Sequence, residues 1–166
     1  MSATNLEELF VLHLRDTLDA ERQLMKALPR MAKAASNEDL KAGFEQHLAE
    51  TEEQIGRLEQ IFELVGKPAR GKHCAGMEGL IEEGKEAIEE DSPEAVTDAN
   101  LIAAAQKAEH YEIAAYGTMA TYAKMLGMDD ALNLLKQTLA EEKATDEKLS
   151  ELAASINFEA QHEEAV

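Results

Sequence analysis

Glu109 and Glu112 stand three residues apart in the run Ala108-Glu109-His110-Tyr111-Glu112. A helix through this run presents both carboxylates on one face. The rest of that face is Ile102, Ala105, Tyr116, Met119 and Ala123, residues that belong in a core. A carboxylate taken into a core is strongly disfavoured unless it is paired, protonated or bound to metal. Two on one stripe point to a cation held between helices.

Asking which residues stand three and four positions away singles out two more acids. Glu21 has Thr17, Leu18, Leu24 and Met25 around it. Glu142 has Thr138, Leu139, Thr145 and Asp146, and fills the gap between Leu139 and Leu149. One such acid is most simply read as sitting at the edge of its stripe, its head in water. Four inward acids on three helices repel one another, and the repulsion needs an answer.

The second helix is less decisive, because Glu50 has Gln46, His47, Glu53 and Gln54 as neighbours. An internal echo selects it instead. Ala20-Glu21 recurs as Ala108-Glu109, and Leu48-Ala49-Glu50 as Leu139-Ala140-Glu141, as though a helical hairpin were duplicated. In the last helix the echo points to Glu141 and the stripe to Glu142. The stripe is preferred, with Asp146 one turn on as a further ligand. His47 is either a ligand or a core histidine bonded to Glu50. The candidate metal ligands are therefore Glu21, His47, Glu50, Glu109, Glu112, Glu142 and Asp146. Carboxylates with an imidazole suit iron, manganese or zinc. Among the other polar residues, Tyr116 should reach the core near Glu112. His110 reads as a surface residue or a donor behind the ligands, His13 as structural, and His73 beside Cys74 as a weak pair.

These side chains need rigid elements to hold them. The chain has 166 residues, 45% of them hydrophobic but only 4% aromatic, and Ala, Leu, Glu and Lys dominate. That mixture predicts an all-α fold. Apolar residues at spacings of three and four mark a first helix from Leu6 to Ala35, capped by Asn5 or Thr4 and kinked at Pro29. A second runs from Leu40 to Val65 and stops at Gly66. The stretch 67–92 is glycine-rich and reads as a long crossover carrying a short helix around Met77–Ile88. A third long helix opens with Pro93 in its first turn and ends before Gly127. A fourth starts at Asp129 or Asp130. Two hairpins joined by one crossover form a ferritin-like four-helix bundle over residues 1–158, with a polar, fraying tail at 159–166.

Charge narrows the function. Against 34 Asp and Glu there are 16 Lys and Arg, a net charge of -18. Such a surface disfavours nucleic acid and anionic membranes, since phosphate binding needs a basic stripe. Cys74 is the only cysteine, so no internal disulfide is possible. No signal peptide or membrane-spanning run is visible, and the expected location is cytoplasmic.

The sequence resembles the YciF-like proteins, a ferritin-like family of bacterial stress-associated proteins. The resemblance runs from about Leu6 to Ala154. It rests on Leu14-Arg15-Asp16 with Asp19-Ala20-Glu21, on His47-Leu48-Ala49-Glu50-Thr51 and on Gly76-Met77-Glu78-Gly79. It continues in Glu109-His110-Tyr111-Glu112 with Tyr116, and in Glu141-Glu142-Lys143-Ala144-Thr145-Asp146. It implies a homodimer with a site similar to that of rubrerythrins, whose third-helix Glu-x-x-Glu would correspond to Glu109 and Glu112. First- and second-helix glutamates would correspond to Glu21 and Glu50. Two histidines of that pattern are replaced, one by Glu53 and the other by Ala144 or Thr145, and the four cysteines of a rubredoxin-like donor are absent.

The function expected is a dinuclear iron centre, with manganese or zinc as alternatives, that reacts with peroxide or oxygen in stress protection. The competing expectation is a non-catalytic dimeric interaction protein whose acids form buried networks, with Lys107, Arg22 or Lys143 as positive partners. A ferritin-type storage cage is a third.

Overall fold

Capping groups fix where the helices begin in the computed structural model, which describes residues 3–162. Five helices form: α1 (Leu6–Ala34), α2 (Glu38–Leu64), α3 (Ala75–Glu89), α4 (Glu94–Met125) and α5 (Asp129–His162). The Asn5 side chain accepts from the Glu8 N–H at 2.9 Å, and Thr4 bonds the Glu8 carboxylate. The Asn37 side chain accepts from the N–H groups of Asp39 and Leu40. Orphan donors of a first turn are satisfied in this way. Gly66 and Gly127, at φ 65° and 69°, turn the chain just after α2 and α4 in a conformation that a side chain disfavours.

The all-helical expectation holds, and no strand occurs among the described residues. One boundary differs. Pro93 sits at the N-cap of α4, one residue before the expected first-turn position. The described part of the tail expected from Glu159 is helical, since α5 continues to His162. There the His162 ring packs on Phe158, and its Nδ1 lies 2.7 Å from the Phe158 carbonyl oxygen. Residues 163–166 of that tail lie outside the described residues.

Short connectors make α1/α2 and α4/α5 antiparallel hairpins. The N–H groups of Ser36 and Asn37 donate to the two oxygens of Asp98, at 2.9 and 2.7 Å. The start of α4 is thereby tied to the start of α2, so these two helices run in the same direction. The segment between them must traverse the length of the bundle, and α3, which lies on α1 and α4, is part of that traverse. Each long helix touches two others, α1 with α2 and α4, and α5 with α2 and α4. No helix among the described residues is long and apolar enough to cross a membrane.

The apolar interior is divided. One cluster gathers Leu24, Leu28, Leu40, Phe44, Leu101, Ile102 and Leu149. The other gathers Phe10, Leu14, Leu58, Phe62, Met119 and Leu135. Between them along every long helix lie buried polar residues: Glu21 on α1, His47 to Gln54 on α2, Glu109 and Glu112 on α4, and Thr138 and Glu142 on α5.

Candidate metal centre

The four long helices each contribute to this middle layer because an acid or imidazole replaces an aliphatic residue in an inward stripe. Glu21, Glu112 and Glu142 are fully buried, and His47 and Glu109 nearly so. One donor atom each from His47, Glu109, Glu112 and Glu142 lies within 4.8 Å of all the others. His47 Nε2 is 3.1 Å from a Glu109 oxygen, but the contact lacks the alignment of a hydrogen bond. Both oxygens of Glu112, both of Glu142, one of Glu109 and both ring nitrogens of His47 have no hydrogen-bond partner. Glu21 lies beside the cluster, with one oxygen taking the Tyr116 hydroxyl and the other unpartnered.

Burial dominates the electrostatics. It pushes Glu21 up to about 7, Glu109 up to about 8 and Glu142 up to about 11. Glu112 is raised well above the ordinary carboxylate range by burial and then by the charges of Glu142, Glu21 and Glu109. Burial also lowers His47 to about 4, which keeps the imidazole neutral with a lone pair to offer. Glu109 and Glu142 approach closely enough to share a proton, as do Glu21 and Glu112. Once both members of a pair are ionised, no hydrogen lies between them. Three carboxylates and a neutral imidazole with unused lone pairs form a donor set that fits iron, manganese or zinc.

The remaining predicted ligands stand apart from the four. Glu50 is about a quarter exposed; it accepts from Gln46 at 2.8 Å, and its other oxygen is 4.0 Å from His47 Nδ1. Asp146 is held by Gln106 at 3.3 Å and faces His110 Nε2 at 3.2 Å. Both remain within electrostatic reach of Glu109. Glu53, at the place of an expected histidine, is largely exposed beside Arg57. Of the proposed basic partners, Lys107 pairs with Glu83 and Arg22 with Glu59, both near the surface, and Lys143 is exposed.

Arg57 was not foreseen. It is buried, grips Glu141 through two hydrogen bonds of 2.6 and 2.8 Å, and donates to Thr138 at 3.1 Å. Its signal was its place between Gln54 and Ile61 on the inward stripe. A second unforeseen group joins α1, α3 and α4. Tyr111 donates to Asp16 at 3.0 Å, and Cys74 Sγ lies 3.0 Å from the same hydroxyl. Gly76 is required there, since a Cβ would come within 2.7 Å of the Tyr111 ring. Cys74 therefore belongs to helix packing and not to the acid cluster.

Residues 5–161 match the model of a family described as a domain of unknown function, DUF892. The chain is 49% identical to protein YciF of Escherichia coli strain K12 over 164 residues, 98% of this chain and 99% of that protein. The crystal structure of the E. coli stress protein YciF superposes with a TM-score of 0.90 at 50% identity, covering 93% of this chain and 98% of that one. YcfI from Rhodopseudomonas palustris gives 0.87 at 44% identity, over 89% and 94%.

Proposed function

The chain belongs to the DUF892 family, and from that premise we propose a ferritin-like, non-haem metalloprotein whose buried cluster holds a dinuclear iron or manganese site. Its role is to meet peroxide or oxygen in stress protection in the cytoplasm. The stress context is supported by the relative described as a stress protein. The ferritin-like assignment is supported by two antiparallel hairpins joined by a crossover that traverses the bundle. The observation that carries the metal assignment is the set of buried, unpartnered oxygens and nitrogens of His47, Glu109, Glu112 and Glu142, with no basic side chain bonded to them.

His47, Glu109, Glu112 and Glu142 would hold the metal, with Glu21 alongside. Bound iron or manganese supplies a redox pair able to exchange electrons with peroxide or oxygen. The chain's own part is to orient and to exclude water. Tyr116 fixes Glu21 by donating its hydroxyl. The aliphatic clusters on either side keep the layer dry, which strengthens each electrostatic interaction within it.

Elemental analysis of protein loaded anaerobically with ferrous iron or Mn(II) tests the reading. About two ions per chain are expected, and Glu109→Ala with Glu112→Ala should abolish binding. Unchanged stoichiometry in that double variant would remove the site. The raised proton affinities favour one other reading, a non-catalytic interaction protein whose acids share protons. Protein that takes up no metal, and shows no optical band of oxo-bridged iron after ferrous loading and air, would favour it over the metal reading.

A further inference from the structure

A cavity of about 470 Å3 lies against the acid layer, on the side of the cluster that contains Leu24 and Phe44. It falls within the size range of small-molecule sites, roughly 300–1,000 Å3. It exists because small residues stand where large ones would close the interior: Ala27 on α1, Gly43 on α2, Gly84 on α3, and Ala104, Ala105 and Ala108 on α4. A Cβ built on Gly43 meets nothing within 4 Å. Most of the lining surface is apolar, with Leu28, Phe44, Ile81, Ile88, Leu149 and Leu152, and the charged residues that also line it, among them Glu50, Glu82, Lys85 and Lys148, are half-buried or exposed and stand toward its mouth. Such a wall offers water few partners. The polar exceptions at the buried end are His47 and Glu109, both with unpartnered atoms.

We propose that this cavity binds an uncharged molecule with a single alkyl chain, its body along the aliphatic wall and its oxygen-bearing end at His47 and Glu109. The apolar wall selects the chain. The buried end selects a neutral head, because an ionised carboxylate there would join existing acids with no basic partner. The lysines that line the cavity stand toward solvent and away from the buried end: Lys85 pairs with Glu82, and Lys148 is exposed. Arg30 and Lys26 are exposed. The proposal builds on the metal-centre reading, naming the class of molecule that such a centre would meet.

Calorimetric titration with hexanol, octanol and decanol, compared with decanoate, tests it on both the metal-free and the metal-loaded protein. Each added methylene should tighten binding roughly fourfold, and decanoate should bind the metal-free protein at least tenfold more weakly than decanol. Gly43→Leu, which replaces a helix-interior glycine beside open space, should weaken decanol at least tenfold while leaving metal content unchanged. Ala27→Leu provides the same test if the first variant does not fold. Affinity independent of chain length, decanoate equal to decanol, or unaltered binding in both filled variants would overturn the proposal. Chain-length-dependent binding to protein that never takes up metal would sink the metal reading alone. Metal uptake without such binding would sink the cavity proposal alone.

Discussion

Glu141 and Glu142 are neighbours in sequence and opposites in environment. Successive residues point about 100° apart around a helix. Glu141 accordingly meets Arg57, Gln54 and water, whereas Glu142 meets Glu109, Glu112 and His47. In the first region the chain supplies its own counter-charge, in a two-pronged geometry suited to carboxylate. In the second it supplies only acids and a neutral imidazole, so the counter-charge must come from protons or from a metal. Buried acidity alone is therefore uninformative; what separates a structural ion pair from a candidate binding site is whether the lone pairs are already used.

The largest effect on stability should come from breaking the self-neutralised region. Arg57→Leu strands Glu141 and the Thr138 hydroxyl, and should cost about 2–4 kcal/mol in chemical denaturation. The lower part of that range is expected because Glu141 still reaches water. Glu142→Gln provides the converse. In metal-free protein at pH 7 it replaces a group already protonated and should change stability by less than about 1 kcal/mol, yet it should remove metal binding. A large loss of metal-free stability in Glu142→Gln would erase the contrast.

pH offers a third way to sharpen it. Glu21 and Glu109 have folded values near 7 and 8, above an unfolded value of about 4.5. The stability they contribute is complete below about 4.5 and is lost as pH rises through those folded values. His47, lowered to about 4 from about 6.5, acts in the opposite sense: its contribution is present above 6.5 and lost as pH falls through 4. Metal-free protein should therefore melt at lower temperature at pH 8.5 than at pH 6. Added Zn(II) should reverse the order, because protons compete with metal for the same lone pairs. The smallest effects belong to the rim. Glu50→Gln and Asp146→Asn should each alter stability by no more than about 0.5 kcal/mol and leave metal stoichiometry intact, since both acids have other partners or solvent.

Much of the fold was legible because long amphipathic helices announce themselves by spacing. The crossover helix, the two hairpins and the inward direction of Glu21, Glu109, Glu112 and Glu142 all followed from which residues stood one turn away. The internal echo and the stripe select residues in different surroundings. The echo paired Glu50 with Glu141, and both lie toward the rim on facing helices. Arg57 went unseen because an arginine in a Glu/Gln-rich helix reads as surface charge. Its burial depends on an acid supplied by α5, a long-range fact that no local window contains. The junction of Tyr111, Cys74 and Asp16 is hidden for the same reason, since its members come from three separate helices.

The belt of acids that splits the aliphatic interior also sets alignment. Leucine-, alanine- and glutamate-rich rods resemble themselves one turn along and could slide past one another at little cost. Here a displacement of one turn would drive Glu21 or Glu142 into the aliphatic side chains of a neighbouring layer and carry His47 away from Glu109. Whatever else the belt does, it makes one pairing of the rods far better than its neighbours, so a repetitive chain settles into a single arrangement.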